Sequence, residues 1–359
     1  MSSEEGIEWK GNKTMAKAIA LFSGGLDSTL AILSILRQGI DVTAITFLTH
    51  FGCDITDRSS CSKDPFSAAE KFGFEVKLCH LGDKFISIVK NPKYGYGRNM
   101  NPCIDCRILM LKEAKELMNI TGADFIITGE VIGQRPMSQM RRTLALIDKE
   151  TGLSGIILRP LSAKLLEPTF PEINGLVDRD KLHDFHGRSR KQQMALAKEF
   201  GLTDYPMPAG GCLLTEPNYS FRLRELLNYN PNPSLKDLHL LRTGRHFRVS
   251  PPCKIIVGRD EKDNDKIDSL AGEGDYILSV ENFGSPVTLL TGDGSQDFIS
   301  LAASICARYS DAKHLSSVDV SMYSKGERFI LSANPATEEV IERYRIQLPE
   351  SKKKEFLKA

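Results

Sequence analysis

The stretch Ala18-Ile-Ala-Leu-Phe-Ser-Gly-Gly-Leu-Asp-Ser-Thr29 decides the reading of the first half of the chain. Ile19 to Phe22 is an apolar run of the length of a buried strand. Ser23-Gly24-Gly25 interrupts it, and a helical pattern begins near Asp27. Glycines at such a turn let the backbone approach a ligand closely, because no Cβ stands in the way. Their N–H groups and the helix N-terminus together favour an anion, typically phosphate. The hydroxyls of Ser23 and Ser28 add further donors. The loop has no lysine, so it is not the Gly-x-x-x-x-Gly-Lys-Ser/Thr phosphate loop.

Outward from this loop, strands and helices alternate. Ala18–Phe22, Val42–Thr49, Glu75–Leu81, Phe125–Thr128 and Thr143–Ile147 read as strands. Asp27–Gln38, Phe66–Phe72, Lys84–Lys90 and Arg107–Asn119 read as helices. The alternation predicts an α/β fold with a doubly wound, mostly parallel sheet. Ligands of such sheets sit beyond the carboxyl ends of the strands. Ser23–Ser28 lies there, as do Thr46 and Phe47, placed to meet adenine, and Gly129 to Gln134. A helix is expected over Arg188–Phe200, followed by the stiff loop Tyr205-Pro-Met-Pro-Ala-Gly-Gly-Cys212. Asn228–Ser234 is rich in turn formers and reads as a linker. Beyond it, His246–Val249, Lys254–Val257, Tyr276–Val280 and Val287–Leu290 read as short strands, and Gln296–Arg308 as a helix. They predict a smaller α+β domain. The expected boundaries are 15–227 and 235–350.

The 359 residues are 41% hydrophobic and 26% charged, with a net charge of +1. These proportions suit a globular protein and make no global claim about partners, so any nucleic-acid surface must be a local basic patch. No apolar run approaches the roughly 18 residues of a membrane span. The acidic start Met1-Ser-Ser-Glu-Glu has no signal-peptide core. A cytoplasmic location is therefore expected, where cysteines more often bind metal or do chemistry than pair.

Asn101-Pro-Cys103-Ile-Asp105-Cys106 opens a helix, and Cys212 follows about a hundred residues later. Cys103 and Cys106 can share one metal centre. Three readings stand. A structural zinc site needs a fourth ligand, and the remaining cysteines supply no clear one. Cys53 and Cys61 are loosely spaced, Cys79 lies in an apolar strand, and Cys253 and Cys306 fall in the second domain. Cys103 and Cys212 could instead form a catalytic nucleophile and persulfide pair. Or Cys103, Cys106 and Cys212 could hold a [4Fe-4S] cluster with one iron open to an outside ligand. Asp105 fits a proton shuttle or a helix cap.

The Ser23–Ser28 loop resembles the Ser-Gly-Gly-x-Asp-Ser loop of the ATP pyrophosphatases, which cleave ATP to AMP and pyrophosphate and so activate a carbonyl oxygen. Asn101-Pro-Cys-x-x-Cys106 is similar to the tRNA 2-thiouridine synthases. Thr128-Gly-Glu-Val-Ile-Gly-Gln134 with Leu158-Arg-Pro-Leu161 is similar to the 4-thiouridine synthases. The resemblance spans roughly residues 15 to 225. It implies ATP and Mg²⁺ as cofactors, with Asp27 toward the metal, and a [4Fe-4S] cluster on the three cysteines. It also implies tRNA as substrate and hydrosulfide or a sulfur-carrier protein as donor. No RNA-binding THUMP region precedes the first strand, so uridine 8 and uridine 34 both stay open as targets. A homodimer is a further expectation.

Val257-Gly-Arg-Asp-Glu-Lys-Asp-Asn-Asp265 and Gly284-Ser-Pro-Val-Thr288 resemble the NFACT-R domain of RNA-associated proteins. Arg242, Arg245, His246 and Arg248 nearby are candidate phosphate contacts, as are Arg135, Arg141 and Arg142 beside the nucleotide edge and the cluster Arg188, Arg190 and Lys191. Two alternatives remain: a zinc-containing synthetase acting on a small heterocycle, and a non-enzymatic RNA-binding adaptor.

Overall fold

The structure is a computed structural model that describes residues 15–52, 65–205 and 212–349. Cys53, Cys61 and the Gly-Gly pair before Cys212 lie outside them. The chain divides into two compact units. One runs to Gly97 and takes in Pro102–Cys212; the other holds Arg98–Asn101 and the chain from Leu213.

The first unit comprises β1 (Lys17–Leu21), α1 (Leu26–Leu36), β2 (Asp41–Leu48), α2 (Pro65–Phe72), β3 (Glu75–His80), α3 (Gly82–Lys90), α4 (Cys103–Thr121), β4 (Phe125–Thr128), α5 (Arg141–Thr151), β5 (Ile157–Leu158), α6 (Phe170–Ile173) and α7 (Lys191–Glu199). Its five strands lie in the order β3-β2-β1-β4-β5, and every pairing is parallel. Residues 18–21 of β1 are buried on both faces, as a central parallel strand requires. Ala18 and Ala20 pack with Ile32 and Ile35 of α1; Ile19 and Leu21 pack with Leu111 of α4 and Ile147 of α5. Helices therefore cover both faces, as the alternation predicted. The strand order turns back at β1, so the crevice between the carboxyl ends of β1 and β4 is the topological switch point.

One expected strand is a helix. Thr143–Ile147 lies inside α5, where Leu144, Ile147 and Thr151 are buried at helical spacing. Four apolar residues in a run of five looked like a strand, but the 3.6-residue period of the longer segment prevails. The fifth strand is instead the two-residue β5.

The second unit comprises α8 (Pro217–Tyr229), α9 (Leu235–Leu240), β6 (Arg245–Ser250), β7 (Cys253–Val257), α10 (Glu261–Leu270), β8 (Tyr276–Val280), β9 (Thr288–Thr291), α11 (Gln296–Arg308), β10 (Val318–Ser324), β11 (Glu327–Ala333) and α12 (Glu338–Tyr344). Its six strands form an antiparallel sheet in the order β11-β10-β8-β9-β7-β6. Ala302, Ala303 and Cys306 of α11 pack on one face against Ile255, Leu278 and Leu290. Leu240 and Ile267 cover Ile256 and Leu289 on the other. Helix α8 falls in this unit, ahead of the turn-rich Asn228–Ser234 segment where the sequence suggested a boundary.

Candidate functional site

Gly24 takes a left-handed φ of 69°, and extended Gly25 caps α1 without a side-chain hydrogen bond. The first N–H groups of α1 are thus not covered by a capping side chain. Ser28 Oγ donates to Gly25 O at 2.9 Å and accepts from Ser23 N at 3.3 Å, which ties the two ends of the loop together. The end of β4 closes against this turn, because Gly129 packs onto the backbone of Asp27 and Ser28.

Asp27 is the charged group of the loop. Gln134 Nε2 donates to its Oδ2 at 3.1 Å, while Oδ1 is buried without a partner. Burial raises its carboxyl above the usual value, opposed by Gln134, by the Arg190 and Arg135 guanidinium groups and by Gln193. Gln193 of α7 is fully buried, and neither of its amide atoms completes a hydrogen bond. Arg190 Nε and Thr46 Oγ1 are likewise buried and unpaired. Buried polar atoms of this kind are rarely left orphaned, and here four residues leave them so beside one anion-binding turn. The sequence reading placed Thr46 here and counted Arg190 among candidate phosphate contacts, but missed Gln193, since α7 lies some 165 residues beyond the loop (Asp27 to Gln193). Phe47, expected beside adenine, is partly buried against the core on the α4 side of the sheet.

The cysteines gather on the same rim. Cys103 and Cys106 form the first turn of α4, which starts at the carboxyl edge because it runs back antiparallel to the strands. Cys212 Sγ donates to Phe51 O at 3.3 Å, just beyond the end of β2. Burial pushes the Cys106 thiol up to about 12; Arg107 opposes this, and Cys212 and Cys103 add to it. Cys103 is also raised by burial, against the pull of Arg135 and Arg107. The three thiols therefore share one electrostatic neighbourhood. Among the described residues, no three His, Cys, Asp or Glu side chains are arranged as a metal-holding group. Asp105 is committed elsewhere: its two oxygens accept from Lys93 N at 2.9 Å and Tyr94 N at 3.1 Å, which fixes the preceding loop.

Between these halves lies a buried ion network. Glu130 is 2% exposed and accepts from Arg159 Nε and Thr128 Oγ1, each at 3.0 Å. Its other oxygen lies 3.1 Å from Arg107 Nε. Arg159 is also bidentate to Asp148, at 2.9 and 2.6 Å. Burial alone would raise the Glu130 carboxyl, but Arg107 and Arg159 outweigh it and hold it below the usual value.

The candidate RNA contacts divide into two kinds. Arg141 and Arg142 are exposed at the start of α5. In the second unit Arg248 is bidentate to Glu225, at 2.6 and 3.1 Å, and lies over Tyr229. Arg245 donates to Gly258 O at 3.2 Å and lies over Tyr309. Arg242 is half-buried. Arg245 and Arg248 thus serve the fold.

Residues 13–164 match the family model of the thiamine biosynthesis protein ThiI. The matched residues hold the phosphate turn, Cys103, Cys106 and the Glu130 network, whereas Gln193 and Cys212 lie beyond them. Residues 244–345 match the RNA binding domain of NFACT proteins. Among curated relatives, the tRNA-specific 2-thiouridylase MnmA of Chlorobaculum tepidum is 26% identical over 184 residues, 50% of this chain and 47% of its own length. A probable tRNA sulfurtransferase of Lysinibacillus sphaericus is 32% identical over 147 residues, 40% of this chain and 34% of its own. The chain thus spans half or less of these two relatives. A solved 4-thiouridine synthetase–RNA complex with bound ATP is 18% identical, with a TM-score of 0.34 over 52% of either chain. No helix among the described residues is long and apolar enough to cross a membrane.

Proposed function

We propose that the protein is an ATP-dependent tRNA sulfurtransferase that thiolates uridine, with 4-thiouridine favoured over 2-thiouridine. One observation carries the reading: the phosphate turn and the three thiols lie on one rim of one sheet, where Gln134 bonds to Asp27 and Cys212 to the backbone beyond β2. The Thr128–Gln134 and Leu158–Leu161 motifs, similar to those of the 4-thiouridine synthases, favour the 4-position.

The uracil carbonyl oxygen attacks the α-phosphorus of ATP. An O–P bond forms, the bond to pyrophosphate breaks, and the ring nitrogen gives up its proton. The uncovered N–H groups of α1 bind the departing pyrophosphate; Asp27 would hold Mg²⁺, which would supply charge compensation for the phosphates. Hydrosulfide, free or delivered by a carrier protein, then adds at the activated carbon. AMP leaves with the original oxygen, and the hydrosulfide proton returns to the ring nitrogen. The 244–345 segment supports RNA binding by the second unit.

The three thiols suit an iron–sulfur centre in kind. Each bears on the Cys106 site, where burial and mutual repulsion oppose thiolate formation, and a cationic centre offsets both. Cys103, Cys106 and Cys212 would hold it. When bound, a [4Fe-4S] cluster supplies an iron without a protein thiolate, open to an exogenous sulfur species.

Anaerobic purification with iron and sulfide analysis, followed by incubation with ATP, Mg²⁺, sulfide and unmodified tRNA, tests the reading. Nucleoside mass spectrometry should find thiouridine. Zinc with no thiouridine would favour a small-heterocycle synthetase, and tRNA binding without ATP turnover would favour an adaptor.

A further inference from the structure

The loop after β4 presents one arginine whose side chain the fold leaves unused. Gly133 N donates to Gln139 O at 2.8 Å, and Gln139 N donates to Arg135 O at 3.1 Å. The Gln139 side chain, only 4% exposed, accepts from Arg135 N at 3.1 Å. Next to Arg135, Gln134 is bonded to Asp27. The loop is therefore closed at its base and anchored to the phosphate turn. Arg135 itself is exposed, and its guanidinium has no hydrogen bond or ion pair among the described residues.

Three guanidinium groups bear on this rim. Arg190 carries a buried, unpaired Nε at the cap of α7, Arg107 follows Cys106 in α4, and Arg135 follows Gln134 in the loop bonded to Asp27. Arg107 is already paired with Glu130. Arg135, next to Gln134 and its bond to Asp27, is thus a cation beside the phosphate turn with no ion pair among the described residues. After pyrophosphate departs, one phosphate remains, esterified to both uridine and adenosine. It does not share the partners of the departing pyrophosphate at the turn, and it must hold its place while sulfur attacks.

We infer that Arg135 binds this remaining phosphate, and so holds the adenylated uridine beside the nucleotide loop. The ligand class is a singly charged phosphodiester of two nucleosides. Arginine suits it because a planar fork of donors can take two phosphate oxygens at once. The inference rests on the sulfurtransferase reading.

The test compares Arg135→Gln and Arg135→Lys with the wild-type full chain, supplied with ATP, Mg²⁺, sulfide and unmodified tRNA. The readout is the ratio of thiouridine formed to pyrophosphate released. Arg135→Gln should lower that ratio at least tenfold, because unheld adenylate is lost to water. Arg135→Lys should recover part of it. An unchanged melting temperature would show that the exposed substitution leaves the fold intact. A wild-type ratio in Arg135→Gln, whatever the overall rate, would overturn the inference and leave the sulfurtransferase reading standing. Absence of tRNA-dependent pyrophosphate release from the wild type would overturn both.

Discussion

Gly129 and Ser28 touch so closely that no side chain fits between them. A Cβ on Gly129 would lie 2.5 Å from the Ser28 amide nitrogen and 2.6 Å from its Cα. Both neighbours are backbone atoms, so neither can rotate away. The end of β4 thereby fixes where α1 begins, and with it the direction of the N–H groups aimed at phosphate.

Gly129→Ala should accordingly push the phosphate turn aside. A displacement of about 1 Å at a reacting group costs on the order of a hundredfold in rate. Gly25→Ala should cost less, because its Cβ would meet only the Ser23 hydroxyl, at 3.3 Å. Pyrophosphate release with saturating ATP checks the order of the two variants; equal rates would contradict it.

Asp27→Asn should stabilise the nucleotide-free protein while abolishing ATP turnover. The Asp27 carboxyl is raised by burial, so its protonated form is the one the fold prefers. Stability from this group is full below the ordinary carboxylate range and is lost as pH rises through the raised value. At neutral pH the charged side chain is therefore a cost that asparagine removes. The melting temperature should rise, by about 2–4 °C per kcal/mol relieved. A lower melting temperature at pH 7 would count against the assignment.

Glu130→Gln has the opposite sign. Arg107 and Arg159 hold this carboxylate below its usual value, so its contribution is present above the ordinary range and fades as acid protonates it. Removing one member of a buried ion network costs about 3–5 kcal/mol. Urea denaturation at pH 7 should show that loss, and the gap between variant and wild type should narrow toward acid pH.

Replacing any one of Cys103, Cys106 and Cys212 by serine should remove iron and thiolation together. Cys79→Ser, Cys253→Ser and Cys306→Ser should retain both. Metal analysis of the anaerobic variants decides the matter. A requirement for Cys79 would enlarge the site, whereas Cys253 and Cys306 are fully buried in the core of the second unit.

The basic residues make separable predictions. Arg141→Ala with Arg142→Ala should weaken tRNA binding and flatten its log–log salt dependence by about 0.7–0.9 per lost contact. Arg248→Ala should instead cost about 1.5–3 kcal/mol of stability, because it breaks the bidentate bond to Glu225. A salt series and a denaturation curve on each variant distinguish the two.

What the sequence disclosed was what is local in the chain. The phosphate turn is six consecutive residues, Ser23–Ser28, whose glycines and hydroxyls act on their own neighbours. The Cys-x-x-Cys turn is equally compact, and Gln296–Arg308 coincides with α11. Thr143–Ile147 misled because a five-residue window is too short to show a helical period. Gln193 gave no sign, since a glutamine on a helix is ordinary until the fold buries it beside Asp27. Arg159 looked like part of a short motif. Its role came from Glu130 and Asp148, which only the assembled sheet and α5 bring to it.

The switch-point crevice draws its walls from stretches around residues 23–28, 46–51, 103–107, 129–135, 190–193 and 212, which meet only in the finished fold. An unfolded chain holds none of it. A nucleotide that binds there consequently binds the native state alone and shifts the unfolding equilibrium by mass action. Each tenfold excess of nucleotide over its dissociation constant should add about 1.4 kcal/mol to the apparent stability. Occupancy of the crevice can thus be followed by melting the protein, before any turnover is observed.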